Sequence, residues 1–277
     1  MKILDCETLK SAEESLSYLF CISCEQLHKH IDELAGMQFE VNADITEDRW
    51  LPMLRYVTGH DFKDEKEGTT CWFHATRSHD ANSFLAGIGC LRDRLEPTWA
   101  FLHTLVADTL SQRDWLRFRR EAESGNFGHT SIVVEAWMSN QGPYAFLFAD
   151  TPLNTAGTCV HDYLGVSELV EFITTDFDRR HPVNLRDRHR AATKPMLVKF
   201  ATPGIQAMHV GAALDYLIHR KARWPIDCLV PCFSGEGKAV PAEQIVKLIH
   251  IEESRDVYRK NPKYRFSDAF MSRGKTV

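Results

Sequence analysis

Three short segments carry the side chains of this 277-residue chain that are best equipped for chemistry. Phe73-His74-Ala75-Thr76-Arg77 sets a histidine and an arginine at the end of a β-prone run. Tyr144-Ala145-Phe146-Leu147-Phe148 supplies planar aromatics. Ile226-Asp227-Cys228-Leu229-Val230-Pro231 offers a carboxylate, Asp227, shortly after Pro225. These residue types suit the breaking of a glycosidic bond. A sugar carbon gains positive charge as its bond breaks, and one nearby carboxylate can stabilise that charge and take the proton of an incoming nucleophile. A histidine and a flat ring can hold the substrate in pose. Each residue also has a plain structural reading: a satisfied strand-end histidine, core aromatics, a turn acid.

Other chemistries find less support. The phosphate loop GxxxxGK[ST], GxGxxG after a strand, HExxH and GxSxG are all missing. Cys21-Ile22-Ser23-Cys24 has the spacing of half a zinc site, with His28 and His30 nearby, but no second CxxC follows, so no metal is expected. Eight cysteines and 13 histidines allow many nucleophile–base pairs, and no local signature selects one. A cysteine-dependent hydrolase stays open as an alternative. Without a secretory signal the thiols are expected to be reduced, with no structural disulfide.

The elements that must position these residues follow from periodicity. Residues 11 to 34 read as helix, with Ser11 and Glu14 as a capping box and Leu16, Leu19, Phe20, Leu27, Ile31 and Leu34 on one stripe. Residues 58 to 70 read as a polar loop. Cys71-Trp72-Phe73 then starts a strand, and Asp80 caps a short helix ending at Gly87 or Gly89. Pro97 to Glu123 suits one or two helices. Strands are expected at Ile132 to Val134, Tyr144 to Phe148, Met196 to Phe200, Ile226 to Val230 and Ile245 to Ile251. Helices carry Leu164 to Ile173 and Val210 to Ile218, the latter ending on His219, Arg220 and Lys221. Helices and strands without strict alternation indicate α+β.

Net charge is −5, which speaks against a protein that coats nucleic acid through bulk charge. Residues 1–66 hold 7 Lys and Arg against 14 Asp and Glu, while the remainder is slightly basic. The boundary expected from this shift separates an acidic helical subdomain, 1–66, from a domain at 67–277. Basic residues concentrate at Arg179, Arg180, Arg186, Arg188, Arg190 and Lys194, and at Arg113, Arg117, Arg119 and Arg120 around Trp115 and Phe118. No apolar run is long enough to span a membrane and the start lacks a signal peptide, so a cytoplasmic protein is expected.

The three segments in this order, over about residues 70 to 252, resemble the ADP-ribosyltransferase superfamily. The second and third are most like the DNA-targeting (DarT-like) ADP-ribosyltransferase toxins: a strand running into Thr151-Pro152, then carboxylate-x-Leu-Val-Pro followed by Val240-Pro241 and Ile245. The resemblance implies a split β-sheet clamp around NAD; the N-terminal helical subdomain read from periodicity and charge precedes it. His74 would bond the ribose on the adenosine side, the main chain of Ala75 with Thr76 would hold the nicotinamide end, and Arg77 would face the pyrophosphate. Tyr144, Phe146 and Phe148 compete to pack on the nicotinamide ring. The family's late glutamate falls on Asp227, one methylene shorter, and Glu236 and Glu135 are the other candidates for the catalytic acid. The implied acceptor is a base in RNA or single-stranded DNA, with Arg179, Arg180, Arg186, Arg188, Arg190 and Lys194 along its phosphates. Such enzymes are often toxins of toxin–antitoxin or phage-defence systems, so an antitoxin or chaperone partner is implied; the charge asymmetry of residues 1–66, which have no counterpart in the resemblance, makes them a candidate docking surface for it. A protein acceptor and a catalytically degenerate NAD- or nucleic-acid-binding module are the alternatives.

Overall fold

A computed structural model describes residues 2–37, 47–124, 142–153, 161–223, 231–254 and 263–266. Helices and strands mix as α+β. The chain divides into two compact units. The first takes Met1–Phe73, Ala145–Val160 and Lys199–Phe233, and the second takes His74–Tyr144, His161–Val198 and Ser234–Val277. The expected boundary at residue 66 lies inside the first unit, because the N-terminal helices share a core with a helix from much later in the chain.

In the first unit, β1 (Ile3–Leu4) leads into α1 (Leu9–Phe20), α2 (Cys24–Gly36) and α3 (Glu47–Thr58). Thr8 and Ser11 exchange side-chain and backbone hydrogen bonds at 2.9 and 3.0 Å, and Ser23 and Gln26 repeat the arrangement ahead of α2. The first capping box therefore belongs to Thr8, one turn before the Ser11–Glu14 pair suggested by the sequence. All three helices pack on α8 (Ala207–Ala222), which is buried along most of its length. Gly211 permits the approach: a Cβ there would lie 2.5 Å from Trp50 Cβ.

Strands β6 (Cys232–Ser234), β4 (Tyr144–Phe146), β2 (Glu65–Ser78) and β5 (Lys194–Ile205) neighbour one another in that order, with β1 parallel to β2. Phe73 faces Phe146 in the antiparallel β2–β4 pair. The polar run before Cys71 is thus strand from Glu65 onward, where the sequence suggested a loop; Lys2 pairs with Glu65, and Thr70 bonds the Gly204 carbonyl at 2.8 Å. Lys199 on β5 is buried, its ammonium held 2.5 Å from Asp5 and 2.7 Å from Glu7. Burial alone would lower its pKa, but the two carboxylates raise it above the ordinary lysine value.

The second unit is built on α4 (Leu91–Thr104), α5 (Gln112–Glu123), α6 (Glu168–Asp178) and α7 (Leu185–Ala192). Pro97 lies inside α4 instead of starting it. Trp99, Trp115, Phe118 and Phe177 form the centre of the core, with neighbouring ring centroids 5.2 to 6.0 Å apart. Asp80 starts the 3₁₀ turn Ala81–Ala86 as expected, and Gly87 ends it with φ +104°. β3 (Gly87–Ile88) then pairs with β7 (Val240–Pro241). β8 (Ile245–Ser254) neighbours β5 and pairs antiparallel with β9 (Lys263–Phe266). The strands expected at Ile132 to Val134 and Ile226 to Val230 lie outside the described residues. Among the described residues, no helix is long and apolar enough to cross a membrane.

The Lys199 cluster yields a stability test. Lys199→Met strands Asp5 and Glu7 against each other and should cost about 3–5 kcal/mol in urea unfolding, whereas the triple change Asp5→Asn, Glu7→Gln, Lys199→Met should recover most of that loss.

Candidate functional site

Alternation along β2 decides which site residues can meet. Phe73, Ala75 and Arg77 share one face, while His74 and Thr76 share the other. His74 and Arg77, expected to act on one dinucleotide, therefore point away from each other.

Arg77 is committed to the protein. Its side chain is 3% exposed, and every N–H group of its guanidinium has an oxygen to meet. Nε donates to Thr193 Oγ1, one terminal nitrogen to the Leu164 carbonyl at 2.8 Å and Glu253 at 2.9 Å, the other to the carbonyls of Arg190 and Thr193. No donor is left for a pyrophosphate. Glu253 is shared with Arg190, whose Nε donates to it at 2.7 Å. Burial alone would raise the Glu253 carboxyl, but bonds and charges from the two arginines hold it below the usual range. His189 lies beside this group, buried, with Nδ1 unpartnered among the described residues; burial, with the charge of Arg77, pushes its pKa down to about 4.

On the opposite face, His74 is half-buried and differently placed. Its Nδ1 lies 2.7 Å from the Tyr144 carbonyl oxygen. A carbonyl only accepts, so Nδ1 carries the hydrogen and Nε2 presents a lone pair. Burial lowers the ring's pKa, the carbonyl bond opposes this, and the positive charge of Arg94 lowers it further. The ring is neutral near pH 7, and Nε2 has no partner among the described residues. Phe84 stands 6.3 Å away, centroid to centroid. The ring thus presents one hydrogen-bond acceptor nitrogen, with the ring of Phe84 beside it.

The aromatics expected to cover nicotinamide separate. Phe146 is fully buried in the first unit, and Phe148 is stacked on Tyr216 at 4.0 Å in the same unit, so neither can receive a ligand ring. Tyr144 is 39% exposed and leans on Tyr163 at 5.9 Å, on the Arg77 face. Ala75 is buried and Thr76 half-buried. Asp227 and Glu135 lie outside the described residues. Glu236 is exposed, at φ +47° in the turn closed by the Lys238 N–H to Gly235 carbonyl bond.

The basic stretch is largely neutralised. Arg179 pairs with Asp176 at 3.8 Å, Arg180 with Glu121 at 3.0 Å, Arg186 with Glu171 at 2.7 Å, Arg188 with Asp108 at 2.5 Å, and Arg190 with Glu253. Only Lys194 of the six is exposed without a carboxylate partner among the described residues. These residues bind α6 and α7 to their surroundings, and a nucleic-acid backbone would have to displace their carboxylates. The sequence pattern gave their charge but not the distant acids that meet it.

Glu253, Arg94 and Phe84 went unremarked as site residues in the sequence. Glu253 was detectable: Ile249 and Ile251 are buried, and the two-residue period carries that buried face on to Glu253. A carboxylate continuing an apolar strand face implies a buried cation. Arg94 and Phe84 had no such signal, since only the fold brings them to His74. No protein-family model matches the chain, and neither a curated protein nor a solved structure matches it.

The Arg77–Glu253–Arg190 group makes stability depend on acid. With a folded-state pKa below the unfolded value of about 4.3, Glu253 contributes fully above that value and loses its contribution as pH falls through the folded value. Glu253→Gln should therefore cost about 3 kcal/mol at pH 7, and the difference from wild type should shrink below about pH 4 in denaturant titrations.

Proposed function

We propose that the protein is an NAD-dependent mono-ADP-ribosyltransferase, with His74 holding the dinucleotide. The observation that carries this reading is the state of His74: neutral, fixed in one tautomer by the Tyr144 carbonyl, with Nε2 free to accept a hydrogen bond from a ribose hydroxyl. The residue wording around 73–77, 144–153 and 226–245 adds the resemblance to the superfamily. Phe84, 6.3 Å from His74 by ring centroids, is the ring proposed here for the packing that the sequence pattern offered to Tyr144, Phe146 and Phe148. Asp227 remains the proposed carboxylate, placed by sequence order alone. NAD is consumed as co-substrate: the bond from ribose C1 to nicotinamide nitrogen breaks, nicotinamide leaves with the electron pair, and the acceptor's nucleophilic atom forms the new bond to C1 after giving up its proton.

A nucleic-acid base is the acceptor in this reading. Support for it shifts from the α6–α7 stretch, whose arginines are paired, to Arg113 and Arg120 on α5, which have no carboxylate partners among the described residues and flank exposed Leu116. A protein acceptor is the second reading, favoured by the same neutralisation of the α6–α7 arginines.

Incubation with labelled NAD and, separately, single-stranded RNA, single-stranded DNA and a cell lysate tests both. Label should appear on a nucleic acid; label only on lysate protein would establish the second reading. His74→Ala and Asp227→Ala should each lower transfer about a hundredfold or more, with circular dichroism unchanged. Wild-type activity should persist below the ordinary histidine pKa of about 6.5, because the folded ring keeps its lone pair to lower pH. NAD left intact by wild type with every acceptor would refute the transferase.

A further inference from the structure

The turn before α6 is tied to the rest of the second unit from several sides. Inside it the Gly165 and Val166 N–H groups both donate to the Asp162 carbonyl, at 2.9 and 3.0 Å, and the Gly165 N–H also reaches Asp162 Oδ1 at 2.9 Å. Its Leu164 carbonyl is one of the acceptors of Arg77, at 2.8 Å. Its Tyr163 ring meets two others, His161 at 4.8 Å and Tyr144 at 5.9 Å by centroids. The order of this turn therefore bears on the buried arginine group that fixes the end of β2.

His161 closes the turn. Its Nε2 lies 2.7 Å from the Val166 carbonyl oxygen, and a carbonyl only accepts, so Nε2 carries a hydrogen. Nδ1 faces a second acceptor, Glu171 Oε2 on the first turns of α6, 3.5 Å away. A neutral ring has one N–H to give, and here it goes to Val166. The Nδ1 lone pair is then turned on a carboxylate, which sets negative charge against negative charge. A proton on Nδ1 reverses the sign of that contact and adds a charge-assisted tie between the turn and α6. The His161 side chain is 19% exposed, so the ring can exchange this proton with solvent.

The other charges around the ring are arranged in pairs. His161 lines a cavity of about 150 Å³ with Asp162 of its own turn, Glu171 of α6, and Arg186, Asp187 and Arg190 of α7. Arg186 meets Glu171 Oε1 at 2.7 Å and Arg190 meets Glu253, so both guanidiniums come with a carboxylate beside them. Asp162 and Asp187 add two further carboxylates to the lining.

We propose that His161 is a proton-operated latch. Uptake of a proton at Nδ1, as pH falls through the range of about 8 to 6 in which histidine changes charge, ties the 161–166 turn to α6 through Glu171; its loss releases that tie while the Val166 bond stays. Through Leu164 and Tyr163 the latch sets how firmly the turn is held against Arg77 and Tyr144. It rests on His161, Val166 and Glu171 alone and stands apart from the transferase reading.

Amide hydrogen exchange of Gly165 and Val166 in the full chain tests it, followed by NMR at about pH 6 and about pH 7.5, on either side of the ordinary histidine value, with each rate divided by the intrinsic rate at that pH. Protection should be about threefold or more higher at the lower pH in wild type, and equally so in His79→Gln, which replaces an exposed histidine elsewhere in the unit. Glu171→Gln, which keeps an oxygen near Nδ1 but removes its charge, should level protection between the two pH values, and His161→Gln should do the same. In the wild-type long-range proton–nitrogen spectrum, Nδ1 of His161 should gain its proton over this range while Nε2 stays bonded. Equal protection at both pH values in wild type, a pH dependence that survives Glu171→Gln or His161→Gln, or an Nδ1 that stays bare at about pH 6 overturns the proposal.

Discussion

The saturated guanidinium of Arg77 is the constraint on which the second unit's chemistry turns. Five N–H groups meet the Leu164, Arg190 and Thr193 carbonyls, the Thr193 hydroxyl and Glu253, so one buried side chain joins the end of β2 to α7, to the turn before α6 and to β8. A buried charge is tolerated only with such complete pairing. Glu253 compensates it, and Arg190 completes the group from α7. The cost of breaking any of these contacts keeps the far end of β2 in one register.

That register also decides where function can lie. With Arg77 turned inward, the alternation of the strand turns His74 and Thr76 to the other face. There the histidine is held by a backbone carbonyl, without a carboxylate, and burial favours its neutral form. One face of β2 thus fixes the unit and the other offers an acceptor nitrogen with the ring of Phe84 beside it. The basic residues around α6 and α7 are likewise paired, with Glu121, Glu171, Asp108 and Glu253.

Much of the architecture was legible in the sequence. Apolar spacing found α6, α8 and the helical segment at 11 to 34, which the left-handed Cys21 and the Ser23 cap divide into α1 and α2; Asp80 marked its short turn, and the late strand from Ile245 appeared where expected. Pattern failed where pairing across the chain overrode local composition: Glu65 to Thr70 is polar yet joins β2, because β1 supplies parallel partners at Thr69 and Thr70. The domain boundary failed for a related reason, since charge asymmetry says nothing of α8 returning to fill the core between α1, α2 and α3. In the candidate site the sequence singled out His74 and Arg77 as polar residues of one strand; their opposite facing followed from period two and was open to view. Phe146 and Phe148 were indistinguishable from binding aromatics until packing buried them.

The most direct test of the central claim is the long-range proton–nitrogen NMR spectrum of the His74 imidazole at pH 7, with and without NAD. The account predicts a neutral ring protonated on Nδ1, with the Nε2 resonance moving as NAD is added and Nδ1 staying bonded to its carbonyl. A ring protonated on Nε2, or an Nε2 resonance indifferent to saturating NAD, would contradict it.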